Sequence, residues 1–418
     1  MRETKSSTQH APEQGEQERL LKGGQAERPP LPHAAQPSLQ RMSRRLRDAW
    51  FMVLVLLLGL GTLLALSSAG SWLLRPTTVT RPSASPTSSA SSPTPTASPT
   101  ATFREYPLPQ ANSQVMRLAV DQQGRVWFGE MGLNYLAVFD PHTQIFRQMV
   151  PPHGRYGMMG IQVAPDGTIW FAEQYANYIG HYFPTTGRYQ IYPLPTLTIP
   201  DPSHPGKTIA LPSGPNDLAL DAHGNVWFTE LNADAVGRLD PRTGLMQHYP
   251  LGTKRSVQEL LPYGITVDPE GIVWFTEASN DRLGRLDPAT GSIRFFTPPG
   301  PIMPLMEVAS DPHGTIWATS FSSGMLFRFD PRTNRFTRYS AAPPGTQVGG
   351  LYGLALSPAG DVWVTILSAN TIARLNPATR YFTYYQIPTQ GSSPLALAIG
   401  PDGTIWFSEV NKIGMLQP

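Results

Sequence analysis

Short runs of alternating apolar and polar residues, bounded by Gly, Pro, Asn and Asp, fill the chain from residue 103 to its end. The stretch from Asn216 to Leu251 shows the plan. Asn216–Asp221 is followed by a turn ending at Gly224, and Asn225–Glu230 by a polar turn at Asn232–Asp234. Ala235–Asp240 leads through Pro-Arg-Thr-Gly244 into Met246–Leu251. Alternation in runs this short, rich in β-branched and aromatic residues, predicts four strands of an antiparallel meander. The Asp-Pro-x-Thr-Gly segments place Pro at the second turn position and Gly where a positive φ is wanted.

The meander recurs. Trp127, Trp170, Trp227, Trp274, Trp317, Trp363 and Trp406 each lie on the second run of a unit, separated by 43, 57, 47, 43, 46 and 43 residues. A period in the forties with four strands per unit predicts an all-β, seven-bladed β-propeller over residues 103–418. The last unit stops after its third strand, Lys412–Leu416, so the N-terminal strand 103–109 is expected to complete that blade and close the ring. Closure removes the open sheet edges an unfinished array would present. One large flat indole per unit suits the gap between adjacent wedge-shaped sheets. Glu130, Glu173, Glu230, Glu277 and Glu409, each three residues after its Trp, read with Asn134, Asn177, Asn232, Asn280 and Asn411 as one turn-stabilising hydrogen bond per blade.

Upstream the pattern changes. Residues 1–48 are polar and end in a basic run with four arginines between Arg41 and Arg47, and they read as a disordered cytoplasmic segment. Residues 49–74 carry no charge, and about 20 such residues span a hydrocarbon core of roughly 30 Å as a helix. The arginines precede it, which orients the helix as a single-pass anchor with the propeller outside the cell. Leu66–Ala69 also resembles a signal-peptide cleavage site, but the long polar leader and the length of the apolar run weigh against cleavage. Residues 75–102, almost wholly Pro, Ser, Thr and Ala, form a solvated spacer.

Composition narrows the chemistry. With 44 prolines and 37 glycines in 418 residues the chain favours turns over long helices, and a net charge of +2 argues against a nucleic-acid partner. The absence of cysteine excludes disulfides and thiolate chemistry. There is no Ser-His-Asp constellation, phosphate loop or spaced set of histidine ligands. Function is therefore sought where the repeat is broken. Eleven residues before each Trp stand Met116, Met159, Asn216, Tyr263, Met306, Tyr352 and Leu395, at the start of the channel-lining strand. The next positions are small except for Arg117, Asp217 and Glu307. Arg117, Asn216, Asp217, Tyr263, Glu307 and Tyr352 are thus the candidate ligand-binding residues, at the channel mouth, with mutual pairing of the charges as the alternative. The insertions Thr196–Pro215, which contains His204, and Gly252–Pro262 lie on the same face and are candidate carriers of specificity.

Tyr263–Glu277, with Asn280, Leu283-Gly-Arg-Leu286 and the Tyr-x-Leu-Pro strands, resembles the repeats of the streptogramin B lyase (virginiamycin B lyase) family over residues 103–418. The resemblance implies a seven-bladed propeller and an activity that opens a cyclic depsipeptide at its ester bond by elimination, with Mg²⁺ and a histidine base. It also implies where that chemistry would reside. The family's last blade begins Glu-Pro-His-Gly-Ile, with the Glu as metal ligand and the His as base, where this chain has Ser393-Pro-Leu395-Ala-Leu397. Tyr352 replaces a second family histidine, Met116 a tyrosine, and Glu409 alone lies near another metal-binding Glu. Leucine neither accepts a proton nor binds an ion, so the expectation is a non-catalytic module without cofactor, binding a small molecule, peptide or cell-surface ligand. The alternative is a lyase, or a lactone- or ester-opening enzyme, using Mg²⁺ or Ca²⁺.

Overall fold

The structure, a computed structural model, describes residues 101–418 except 153–156, 202–203, 205, 253–258, 301–303, 344–345 and 347–348. The expected cytoplasmic segment 1–48, membrane helix 49–74 and nearly all of the spacer 75–102 lie outside the described residues. Among those described, no helix is long and apolar enough to cross a membrane.

Seven four-stranded antiparallel sheets follow one another, each in simple meander order. The ring closes as the sequence predicts. Strand β1 (Thr102–Pro107) pairs antiparallel with β30 (Lys412–Gln417), outside β29 (Ile405–Ser408) and β28 (Leu397–Ile399), with Thr102 opposite Gln417 and Pro107 opposite Lys412. The insertion 196–215 is more ordered than a loop: Thr196–Pro200 and Thr208–Pro212 pair as a hairpin standing apart from the blades. Its residues are mostly exposed, and His204 at its tip pairs with Asp201 at 2.8 Å.

Each of the seven repeat tryptophans packs against the following blade. Trp127 shares an apolar cluster with Met158, Ile161 and Phe171 of blade 2, Trp227 with Ile265, Val273 and Phe275 of blade 4, and Trp406 with Val115 and Phe128 of blade 1. The remaining four do the same, so every seam between blades has its own core. An indole burying about 200 Å² contributes roughly 5 kcal/mol of gross apolar stabilisation.

The polar residues of the motif act across strands and seams rather than within turns alone. Thr276 accepts the Gly264 N–H at 2.9 Å and donates to the Met306 carbonyl of the next blade at 2.5 Å. Thr229, Thr319 and Thr365 repeat this clasp. The motif glutamates also bond beyond their turns. Glu130 reaches Gln148 on the fourth strand and Ser113, Glu230 reaches His248, and Glu277 bonds the expected asparagine, Asn280, together with Arg282. Asn177 and Asn370 instead hold the connection to the next blade: each donates to two of its carbonyls and accepts a backbone N–H from it.

Candidate functional site

The channel wall is made by the first strand of each blade, and in six blades that strand carries a β-bulge near its start. In blade 1, Val115 lies opposite Glu130 but Leu118 lies opposite Phe128, so one extra residue is accommodated between them. The same shift occurs at Met158/Ile161, Pro215/Leu218, Pro262/Ile265, Leu305/Val308 and Leu351/Leu354. A bulge breaks strict alternation and re-aims side chains. Two neighbouring positions per blade therefore contribute to the channel, and they form two layers of different chemistry.

The first layer is apolar. Met116, Met159, Tyr263, Met306, Tyr352 and Leu395 pack as one buried cluster together with Met131, against Leu231, Ala278, Phe321 and Leu367. Tyr352 is fully buried and its hydroxyl lies 2.6 Å from that of Tyr263, which satisfies both phenols inside an apolar layer. Asn216 occupies the same level in blade 3 and spends its amide on the wall, donating to the Tyr263 carbonyl at 3.0 Å and accepting from Gln174.

The second layer holds the charges. Where it carries glycine, neighbouring strands come close: a Cβ on Gly264 would lie 2.5 Å from the Met306 carbonyl oxygen. Where it carries Arg117, Asp217 and Glu307, from blades 1, 3 and 5, the side chains converge. The Arg117 Nη2 donates to Glu307 at 2.7 Å, and its Nε lies 3.2 Å from Asp217 Oδ1 and 3.4 Å from Glu307 Oε2. The guanidinium also stands over the Tyr263 ring, 5.2 Å from its centre. Asp217 Oδ2 accepts the Ile265 N–H at 3.1 Å. Arg117 Nη1 is buried with no hydrogen-bond partner.

Burial opposes charge on all three groups, and their mutual pairing decides the outcome. Arg117 is held above its ordinary value because Asp217 and Glu307 outweigh its burial. Two carboxylates share that one cation. Burial raises Asp217, only partly offset by Arg117, and pushes Glu307 up to about 7, Arg117 lowering it and Asp217 raising it further.

Beside this cluster lies a cavity of about 440 Å³. Met116 and Tyr352 bound it at the apolar layer, and it runs past Ile161, Ile265 and Val308 to Val163, Pro165 and Val267 near the turns between first and second strands. Exposure rises in that direction: Met116–Leu118 are buried whereas Ala119 and Val120 are partly exposed, and Tyr263–Ile265 are buried whereas Thr266 and Val267 are not. The structure thus brings five of the six candidate residues together, with Asn216 in the wall. It places the three charges inside the apolar layer, facing the cavity on the side of the first turns rather than that of the between-blade loops. The sequence marked the charges but not the bulge, which is a feature of pairing register.

Glu409 lies elsewhere and does not line the cavity. Both its carboxylate oxygens are buried without a hydrogen-bond partner, and burial pushes it up to about 7, with Glu105 adding to the rise. Leu395 stands in the apolar layer and Ser393 in a left-handed turn with φ of 49°. Among the described residues no group of three His, Asp or Glu side chains could hold a metal ion.

The seven sheets and the closing strand define a closed seven-bladed β-propeller. Residues 253–418 match the model of the Virginiamycin B lyase family. A streptogramin B lyase structure is similar at 26% identity, over 76% of this chain and 97% of that one, with a TM-score of 0.66. A catalytically inactive virginiamycin B lyase from Staphylococcus aureus with quinupristin is similar at 25% identity, over 76% and 99% of the two chains, with a TM-score of 0.64. The extracellular domain of a hybrid two-component system from B. thetaiotaomicron shares the fold at 18% identity, over 75% of this chain and 42% of that one, with a TM-score of 0.55. A search of curated protein sequences gives no significant match.

Proposed function

We propose that the chain is a non-catalytic binding module, a propeller of the streptogramin B lyase type displayed outside the cell on the apolar segment 49–74 and taking a ligand into its central channel. The observation that carries this reading is the channel itself. It holds the Arg117, Asp217 and Glu307 cluster beside a cavity of about 440 Å³, a volume in the range of small-molecule sites. Elimination needs a base at the α-proton and a cation for the developing enolate. Leu395 and Ser393 stand where the resemblance places the base and a metal ligand, and the apolar layer around Leu395 offers neither.

The test is direct. The full chain is incubated with a streptogramin B substrate and Mg²⁺ or Ca²⁺, and the linear product is followed by mass spectrometry. No ring opening above the protein-free control is expected. Catalytic turnover abolished by chelation would overturn the reading in favour of a rearranged metal lyase.

A further inference from the structure

Among the described residues, three of the six exposed large apolar side chains occupy one register position. Ile145, Leu245 and Tyr381, at 51%, 71% and 73% exposure, each begin the fourth strand of their blade, opposite the last residue of the third: Asp140, Asp240 and Asn376. Thr102 holds the same place in blade 7, opposite Gln417, so the chain enters the propeller on this ring of positions. Blades 2, 4 and 5 put exposed Arg188, Ser292 and Arg335 there. The three apolar residues sit on blades 1, 3 and 6, no two of them adjacent in the ring. They therefore mark out a plane at the end of the propeller that carries the first and third turns. Val150, Tyr175 and Ile209, the other exposed large apolar residues, lie toward the opposite end.

We propose that this end of the propeller lies against the surface of a lipid bilayer, with Ile145, Leu245 and Tyr381 dipping into the interface. This rests on the reading above that the segment 49–74 is a membrane anchor, and deepens it. The placement of the apolar points decides the kind of partner. A protein interface needs a contiguous, close-packed patch of about 800 Å² on each side. Three side chains separated by one or two intervening blades do not provide it. A bilayer is apolar beneath every point of its plane, so it accepts isolated side chains around a whole ring, and a tyrosine is favoured at its interface. The tether supplies proximity. Residues 75–101, as a flexible chain, span about 30 Å and join the ring at Thr102. The anchor thus holds this end near the bilayer at a high effective concentration, and a few side chains suffice. Charge plays the smaller part. Arg242 and Arg332 pair with Asp240 and Asp330, and Arg188, Arg335 and Arg380 are exposed without an ion pair among the described residues, but the nearby first turns expose Asp166, Glu270 and Asp402. The two signs offset each other, so the contact is apolar rather than electrostatic.

The chain has no cysteine, so a single introduced thiol is unique. Ser292→Cys on the ring and Thr208→Cys on the hairpin at the opposite end, each carrying an environment-sensitive fluorophore, are compared in the full chain. Both are reconstituted into phosphatidylcholine vesicles containing spin-labelled lipid. The label at position 292 should reach the interface and be quenched at least about twofold more than that at 208. The difference should persist at high salt, where exposed charges are screened. Ile145→Ser, Leu245→Ser and Tyr381→Ser combined should abolish it while leaving flotation with the vesicles unchanged. Should that combination not fold, the comparison of 292 with 208 on the unaltered ring still decides the matter. Equal quenching at the two positions in chains that float with the vesicles overturns this inference and leaves the anchor standing. A difference that high salt removes, or that survives the three serines, does the same. Shielding at 292 that grows with protein density and comes without lipid quenching assigns this end to a second copy and also overturns the inference. A chain that does not float with the vesicles overturns the anchor reading, and this inference with it.

Discussion

Blades 4 and 2 are built on the same second strand, Val273-Trp-Phe-Thr-Glu277 and Ile169-Trp-Phe-Ala-Glu173, yet hold themselves together differently. In blade 4 the polar groups of the repeated motif have partners. Asp268 accepts the Trp274 indole N–H at 2.7 Å, Thr276 clasps the next blade, and Glu277 is bound by Arg282 and Asn280. In blade 2, Ala172 stands in place of the threonine and Ala164 in place of the aspartate. Trp170 is covered instead by His181, stacked 3.7 Å away, and by Tyr192 at 5.8 Å. Across Gly180 from Glu173 lies Ile191, where blades 1 and 3 have Gln148 and His248. Burial pushes Glu173 up to about 8 and His181 down to about 4. The indole seam therefore makes the blade. The polar staples set how strongly, and over which pH range, it is held.

The largest effect should come from the seam itself. Trp274→Ala and Trp170→Ala should each cost about 3–5 kcal/mol in denaturant unfolding, despite the different staples around them. A loss below about 1 kcal/mol in either blade would show that the seam is not the common support.

Removing a staple should cost less. Thr276→Val leaves the buried Gly264 N–H and Met306 carbonyl short of a partner, an expected loss of about 1–3 kcal/mol, with Thr276→Ser restoring most of it. If the serine variant is no better than the valine, the clasp acts through shape rather than hydrogen bonding.

The smallest effect, confined to blade 2, is in pH dependence. His181 is neutral in the fold and its value lies below the ordinary 6.5, so its contribution is present above pH 6.5 and is lost as pH falls toward 4. Glu173 is protonated in the fold, so its contribution is present below its ordinary 4.5 and is lost as pH rises through about 8. Thermal melts across this range should show a shallower acid-side slope for His181→Phe and a shallower alkaline-side slope for Glu173→Gln. Unchanged slopes would mean that blade 2 is no more proton-sensitive than blade 4.

Much of this was legible before any coordinates. Seven tryptophans at a period in the forties counted the blades, and a last unit short of one strand required β1 to pair with β30. The three charges at the second channel position stood out because their counterparts in other blades are Gly or Ala. The threonine clasp had a signal, Thr229, Thr276, Thr319 and Thr365 two residues after their tryptophans, but a threonine in a strand is too common to announce an inter-blade bond. The glutamate partners were hidden for another reason. Gln148 and His248 lie 18 residues from Glu130 and Glu230, across a glycine or alanine on the strand between.

The sequence by itself determined the blade count, the closing strand and the identity of the odd charges, because local alternation and a strict period survive without knowledge of neighbours. Tertiary structure decided which way those charges face. A one-residue bulge in six of the seven first strands stacks an apolar layer upon a charged one, so Arg117, Asp217 and Glu307 meet beside a cavity on the side of the first turns. That choice depends on strand register and on the approach of blades distant in sequence, and neither is written in any single repeat.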